Sequence, residues 1–431
     1  VVADLQSTLL AQNRRLHRQR RRRRVARLLF IILIICGLTA SAVPPQTDFM
    51  TQVNALTAPL QFDFIDWMSL ALVTETERRL DPTPIPENYE ALVGLYLTQE
   101  DDIDRLRQNI DQLLADPGSA WPGQKPLAMQ KELAEVQSAQ AAIIPSIENI
   151  LSRQIEAVLR DEGFRVIPLV AFRLIDPPTA LIISPRDKIE RQDFVGLSPG
   201  LDPARRTDIE NALHQRGDVS AYVTDVGGLG SYPTMVINHS RLPTLIDIIA
   251  HEWVHNYLYT FPTNMAWGYG ASRQMTTLNE TTASLVGGEL ARKVIIRFYP
   301  EWVDRLPPLD EHGQEAPAKP SEFNLAMRRI RQHVDDLLAA GKIDEAEAYM
   351  ESERQKLAVD GHPLRRLNQA YFAFHGSYAL SPGSVDPIGP QMRQLRAASP
   401  SLKAFLDRIG WLNSPADYER WLQEIGLPPA S

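Results

Sequence analysis

The chain has 431 residues, 44% of them apolar, a single cysteine and a formal charge of −8. Such length and apolar content exclude a disordered polymer and suggest two or three globular units, and one cysteine excludes a disulfide framework. The charge is uneven: residues 1–27 hold nine arginines and one acid, leaving 36 basic against 52 acidic residues for the rest. An acidic body argues against nucleic acid as a partner.

The basic leader, 1–27, abuts an uncharged run, 28–43 (LLFIILIICGLTASAV), closed by Pro44 and Pro45. As a helix this run reaches about 24 Å, short of the roughly 30 Å hydrocarbon core unless Arg27 snorkels. Arginines before it and none just after it orient the N-terminus toward the cytoplasm and the body outside. The expectation is a single-pass transmembrane signal anchor; Ala40-Ser41-Ala42 offers the competing reading of a cleaved signal peptide. Cys36 lies inside this run, so an exported body has no disulfide to rely on.

Residues 44–163 read as a helical stalk or N-terminal lobe. A spacer at 46–59 precedes a helix at 62–80, with Phe64, Ile65, Met68, Leu72 and Val73 as its apolar positions and Pro82, Pro84 and Pro86 as its stop. Two longer amphipathic helices, 89–114 and 129–159, flank a Pro/Gly break at 116–123. From Phe164 the pattern changes to short β-rich runs, 165–172 and 179–184, then a helix at 203–215. Strands follow at 219–226 and 233–238, separated by Gly227-Gly228-Leu229-Gly230. The last strand is expected to be an open edge, able to bind an extended peptide through its backbone, with Pro233 and the glycines limiting unwanted pairing.

The stretch Ile248-Ile249-Ala250-His251-Glu252-Trp253-Val254-His255-Asn256-Tyr257-Leu258 carries the chemistry. Its periodicity is helical, and Pro243 suits the first turn. Two histidines four apart share one helix face and can share one ion, with Glu252 beside them; water held between ion and carboxylate is the nucleophile of a zinc hydrolase. A catalytic zinc needs a third protein ligand and an open position. Glu280, in the helical run Leu278-Asn279-Glu280-Thr281-Thr282-Ala283-Ser284-Leu285-Val286, is the best candidate.

Over residues 219–289 the chain resembles the gluzincin metallopeptidases, the thermolysin-like and aminopeptidase-like zincins, in which HExxH is followed by a helix bearing Asn-Glu. The resemblance implies His251, His255 and Glu280 as zinc ligands and Glu252 as general base. Two features depart from it. Between His255 and Glu280 lie 24 residues, a longer gap than usual, which makes the loop with Trp267-Gly268-Tyr269-Gly270 an insertion. Ser284 stands where thermolysin-like members carry an aspartate that orients a zinc histidine. Glu289 is a rival ligand if the helix breaks at Gly287-Gly288.

Beyond Glu289 the pattern is helical: a continuation at 293–299, a polar linker at 310–320, then 323–340, 343–357, 364–380 and 402–409, punctuated by Gly341 and Gly361. The oxyanion of peptide hydrolysis needs a donor, and residues 365–378 concentrate candidates: His375 first, then Tyr371 and Tyr378. This segment is loosely similar to a late part of predicted bacterial membrane-associated aminopeptidases. Leu367, Tyr371, Phe374 and Tyr378 also make a stripe at helical spacing, the mark of a core face. Tyr257 reads as core, Tyr269 as a loop residue near the cleft, and His239 as surface.

The sequence thus suggests an α+β protein. A zincin-like upper lobe at 164–300, with a short mixed sheet and an active-site helix, would be joined to a mainly helical lobe at 301–431, after an N-terminal helical region and one membrane segment. The expected function is a membrane-anchored, extracytoplasmic peptidase that uses Zn2+ and acts on a peptide or protein substrate. The alternative is an inactive zincin-like scaffold that binds an envelope partner protein; a non-peptide amidase would use the same metal chemistry. Substrate, endopeptidase versus aminopeptidase action and oligomeric state stay open.

Overall fold

A computed structural model of the chain describes residues 48–80, 84–115, 124–215, 217–260, 272–316, 319–376, 378–380 and 384–428. The basic leader, the candidate anchor with Cys36 and the loop bearing Trp267 and Tyr269 lie outside these residues. Among the described residues, no helix is long and apolar enough to cross a membrane. The chain divides into two units, 1–58 and 59–431. In the first, helix α1 (Asp48–Thr57) ties its last turn together through Thr57 Oγ1, which donates to the Val53 carbonyl at 2.8 Å. The remaining description concerns the second unit.

This unit is α+β, mainly helical with two small sheets. Helix α2 (Phe64–Leu80) follows a segment that lies along a strand: Phe62 N donates to the Gly196 carbonyl at 3.0 Å, and a Cβ on Gly196 would stand 2.5 Å from the Phe64 ring. Glycine is required at that close approach. The two long helices expected here are α3 (Tyr89–Ala115) and α4 (Gln124–Asp161), which pack together as a hairpin. Gln140 bonds Glu100 across it at 2.7 Å.

Three antiparallel strands form the first sheet, in the order β3 (Asp193–Leu197), β2 (Thr179–Pro185), β4 (Val219–Thr224). Helix α5 (Pro203–His214) enters between β3 and β4, with Asp202 accepting from Arg205 N and Pro203 in the first turn, where a proline costs no hydrogen bond. The second sheet runs β1 (Phe172–Leu174), β6 (Thr234–Val236), β5 (Gly228–Leu229), with β1 parallel and β5 antiparallel to β6. Here the sequence expectation is corrected. The strand at 233–238 is central, because both sides of β6 are paired, and the outer strands are β1 and the two-residue β5, which lies inside the stretch read as a glycine turn.

Helix α6 (Leu242–Thr260) and the 26-residue helix α7 (Arg273–Phe298) lie against one another. Ser272 caps α7, its hydroxyl accepting from Met275 N at 3.2 Å. Gly287 and Gly288 do not break α7; a Cβ on Gly287 would stand 3.0 Å from the His251 backbone nitrogen, so glycine sets how closely the two helices pack. Downstream come α8 (Glu322–Ala339), α9 (Ile343–Val359), α10 (Gln369–His375), α11 (Ile388–Ala398), α12 (Leu402–Gly410) and α13 (Pro415–Glu424). The expected helix at 364–380 is the short α10, because Asn368 caps it and Gly376 ends it.

One hydrophobic core runs from Val93, Tyr96 and Ile150 of the α3/α4 hairpin through Phe172 and Val236, the inner faces of α6 and α7, and on to Met392, Phe405 and Trp421. The hairpin therefore shares a core with the metal-motif helix. Trp253 and Tyr257 fix the back of α6: their rings pack on Phe164, Trp253 Nε1 donates to the Pro168 carbonyl at 2.9 Å, and Tyr257 OH donates to Asp407 at 2.8 Å. Full burial of side chains such as Leu245, Ile246, Ile249 and Leu258 contributes about 1.5–3 kcal/mol each. A second core joins α8, α9 and α10 through Ile330, Val334, Met350, Leu367 and Phe372.

Candidate metal centre

With its back anchored, α6 presents His251 and His255 from one face. Their Nε2 atoms are 3.1 Å apart, and Glu280 Oε2, from α7, lies 3.4 Å from the first and 3.6 Å from the second. A tetrahedral ion with bonds near 2.0–2.1 Å needs ligand atoms about 3.3–3.4 Å apart. The three atoms thus span one face of such a polyhedron. Glu252 also brings an oxygen into a group whose ligand atoms all lie within 4.8 Å of one another, whereas Glu280 Oε2 stands within 3.6 Å of both Nε2 atoms. Glu289, the rival, faces elsewhere: it accepts from Arg396 at 2.9 Å through both oxygens and pairs with Lys293 at 3.4 Å.

Asn279 was overlooked as a site residue by sequence reading. Its Oδ1 lies 2.7 Å from His255 Nδ1; with the proton on Nδ1, the Nε2 lone pair points at the ligand cluster. Behind His251 stands Ser284, its Oγ 3.4 Å from Nδ1. Asp247, one turn ahead of His251 on α6, was also overlooked; burial pushes its carboxyl up to about 6, against the pull of His251. Each had a sequence signal. Asn279 directly precedes the glutamate ligand, and Asp247 is an acid in an otherwise apolar stretch.

The electrostatics separate the two glutamates. Burial opposes the charge of Glu280, but His255 and His251 outweigh it and hold the carboxyl well below the usual range. Burial likewise opposes a charged His255, yet Glu280, Glu252 and the Asn279 bond raise its imidazole to about 9. For Glu252 burial wins over both histidines, and its pKa is raised. Its Oε2 has no hydrogen-bond partner among the described residues. The β5 strand runs against this carboxylate: a Cβ on Gly228 would meet Oε1 at 2.5 Å, and one on Gly230 would stand 3.8 Å from Oε2. Asn256, one turn after Glu252, pins the β5–β6 connection by donating to the Ser231 carbonyl at 3.1 Å and Thr234 Oγ1 at 2.9 Å.

The three expected oxyanion donors separate. The Tyr378 ring lies 6.4 Å from that of His251, at the edge of the ligand cluster. Tyr371 and His375 instead join Tyr222 in a ring cluster, with centroids 4.3 Å apart between the two and 5.2 Å from Tyr371 to Tyr222. Burial lowers the His375 pKa to about 4, although the residue as a whole is exposed to solvent, and burial raises that of Tyr371. His239 accepts from Arg241 N at 2.9 Å and belongs to the β6–α6 connection.

Compared with known proteins, the chain matches no family model, no curated protein and no solved structure.

Proposed function

We propose that this protein is a zinc-dependent peptidase of gluzincin type, membrane-anchored with its body outside the cytoplasm. The observation that carries the metal reading is the triangle of His251 Nε2, His255 Nε2 and Glu280 Oε2, with sides of 3.1, 3.4 and 3.6 Å. Two imidazoles and one carboxylate suit Zn2+, and these are the residues that would hold it. When bound, zinc supplies a Lewis acid that polarises a scissile carbonyl and acidifies water.

The remaining work belongs to the chain. Glu252, buried and with one oxygen unpartnered, takes a proton from the attacking water and passes it to the departing amine; its raised pKa suits both halves of that transfer. Tyr378 is the favoured donor to the carbonyl oxygen as negative charge develops there, ahead of His375 and Tyr371. The outer edge of β5 aligns an extended peptide by backbone hydrogen bonds, and glycine at 228 lets that strand lie against the base.

Glu252→Gln tests the assignment on the full chain. Zinc content should be unchanged while cleavage of a peptide library falls by about 10²–10⁴-fold, the usual worth of a general base. Turnover at the wild-type rate would remove Glu252 from the mechanism.

A further inference from the structure

Ser284 stands behind His251, and an acid, Asp247, lies one turn before that histidine on the same helix. Side chains on a helix lean toward its N-terminus, so the His251 ring is carried back over the turn that contains Asp247. Asp247 Oδ1 is buried and has no hydrogen-bond partner among the described residues. Across from it lie the two α7 glycines: a Cβ on Gly287 would stand 2.9 Å from Asp247 Oδ1, and one on Gly288 4.0 Å from it. Glycine at both positions keeps α7 clear of the carboxylate. One turn ahead on α7, Ser284 Oγ stands 3.4 Å from His251 Nδ1, at the far limit of a hydrogen bond. Glu315, the other carboxylate facing Gly288, is paired with Arg292 at 3.5 Å.

We propose that Asp247 is the positioning residue for His251. With the Ser284 hydroxyl it takes up the Nδ1 side of the imidazole and turns the Nε2 lone pair toward the metal, as Asn279 does for His255. Ligating histidines generally need such a partner on the second nitrogen. The orienting acid enters from the metal helix itself, one turn before the ligand, and the Gly287-Gly288 pair leaves it room. This inference rests on the metal reading of the site and deepens it.

The test is zinc affinity of the metal-stripped full chain, read by competition with a chromophoric chelator, with circular dichroism to confirm folding. Asp247→Ala should weaken zinc about 10–100-fold, the usual effect of removing such a partner. Adding Ser284→Asp to that variant should restore most of the loss, since it puts a carboxylate on the same nitrogen. Wild-type affinity in Asp247→Ala overturns the proposal, as does a weakened site that Ser284→Asp fails to rescue, because Asp247 would then act only through packing. If Asp247→Ala does not fold, Ser284→Asp in the wild-type background decides. No gain is expected where a carboxylate already serves the nitrogen, and a tenfold gain overturns the proposal. Zinc bound by wild type and unaffected by Asp247→Ala sinks this inference alone; no zinc in wild type sinks the metal reading with it.

Discussion

The α6/α7 pair and the α8/α9 hairpin are both antiparallel helix pairs, but they spend their buried positions differently. On α8 and α9 the buried side chains are mainly apolar, Met327, Ile330, Val334, Leu338, Ala346, Met350 and Leu357, with Arg331 among them. Their solvent faces carry near-neighbour ion pairs such as Arg354–Glu351 at 2.7 Å and Lys356–Glu353 at 2.6 Å. On α7, Thr276, Thr277, Asn279, Glu280, Thr281 and Thr282 are all buried, in the half of the helix that faces the histidines. Burying polar groups costs stability unless they are satisfied. The hairpin buries what keeps it folded, whereas the α6/α7 pair buries polar groups around the candidate site.

Three substitutions can break that contrast. The largest effect on the site is expected from Gly228→Val. Its Cβ would fall 2.5 Å from Glu252 Oε1, and a general base displaced by about 1 Å costs on the order of 10²-fold in rate. Peptide cleavage should fall while zinc stoichiometry holds; unchanged kcat would show that the strand does not set the position of Glu252. Asn279→Ala comes next. It removes the 2.7 Å partner of His255 Nδ1 and should weaken zinc about 10–100-fold, and a chelator titration that matches wild type would contradict that role. Met350→Ala, in the second core, should lower stability by about 2–5 kcal/mol in a urea titration and leave zinc affinity where it was. A joint loss of both would mean that the hairpin and the site are one cooperative unit.

The hairpin was the easier of the two to read. Its apolar period and its glycines at 341 and 361 give the helices almost to the residue, because an amphipathic helix writes its buried face into the sequence. The metal motif was legible for another reason: HExxH and Asn-Glu are local, and helix geometry alone brings each set to one face. What failed to show was non-local. The outer strand β5 is two residues long, too short for any alternation, and only its pairing with Val236 and Met235 defines it. Tyr378 extends the stripe of Tyr371 and Phe374 by one period, yet the helix stops at His375, so the Tyr378 ring lies beside His251 and Phe374 while Tyr371 packs against Tyr222. Asp247 carries weight only because Gly287 and Gly288, forty residues on, leave space over it. The helices at 388–398 and 415–424 are short segments whose faces are defined by the core that they share with α12.

The most direct measurement is the zinc content of the purified full chain, in wild type and in Glu280→Ala. One equivalent in wild type and a strong loss in the variant is the predicted result. Wild-type protein that binds no zinc, or a Glu280→Ala variant that holds it as tightly, would contradict the three-ligand centre on which the account stands.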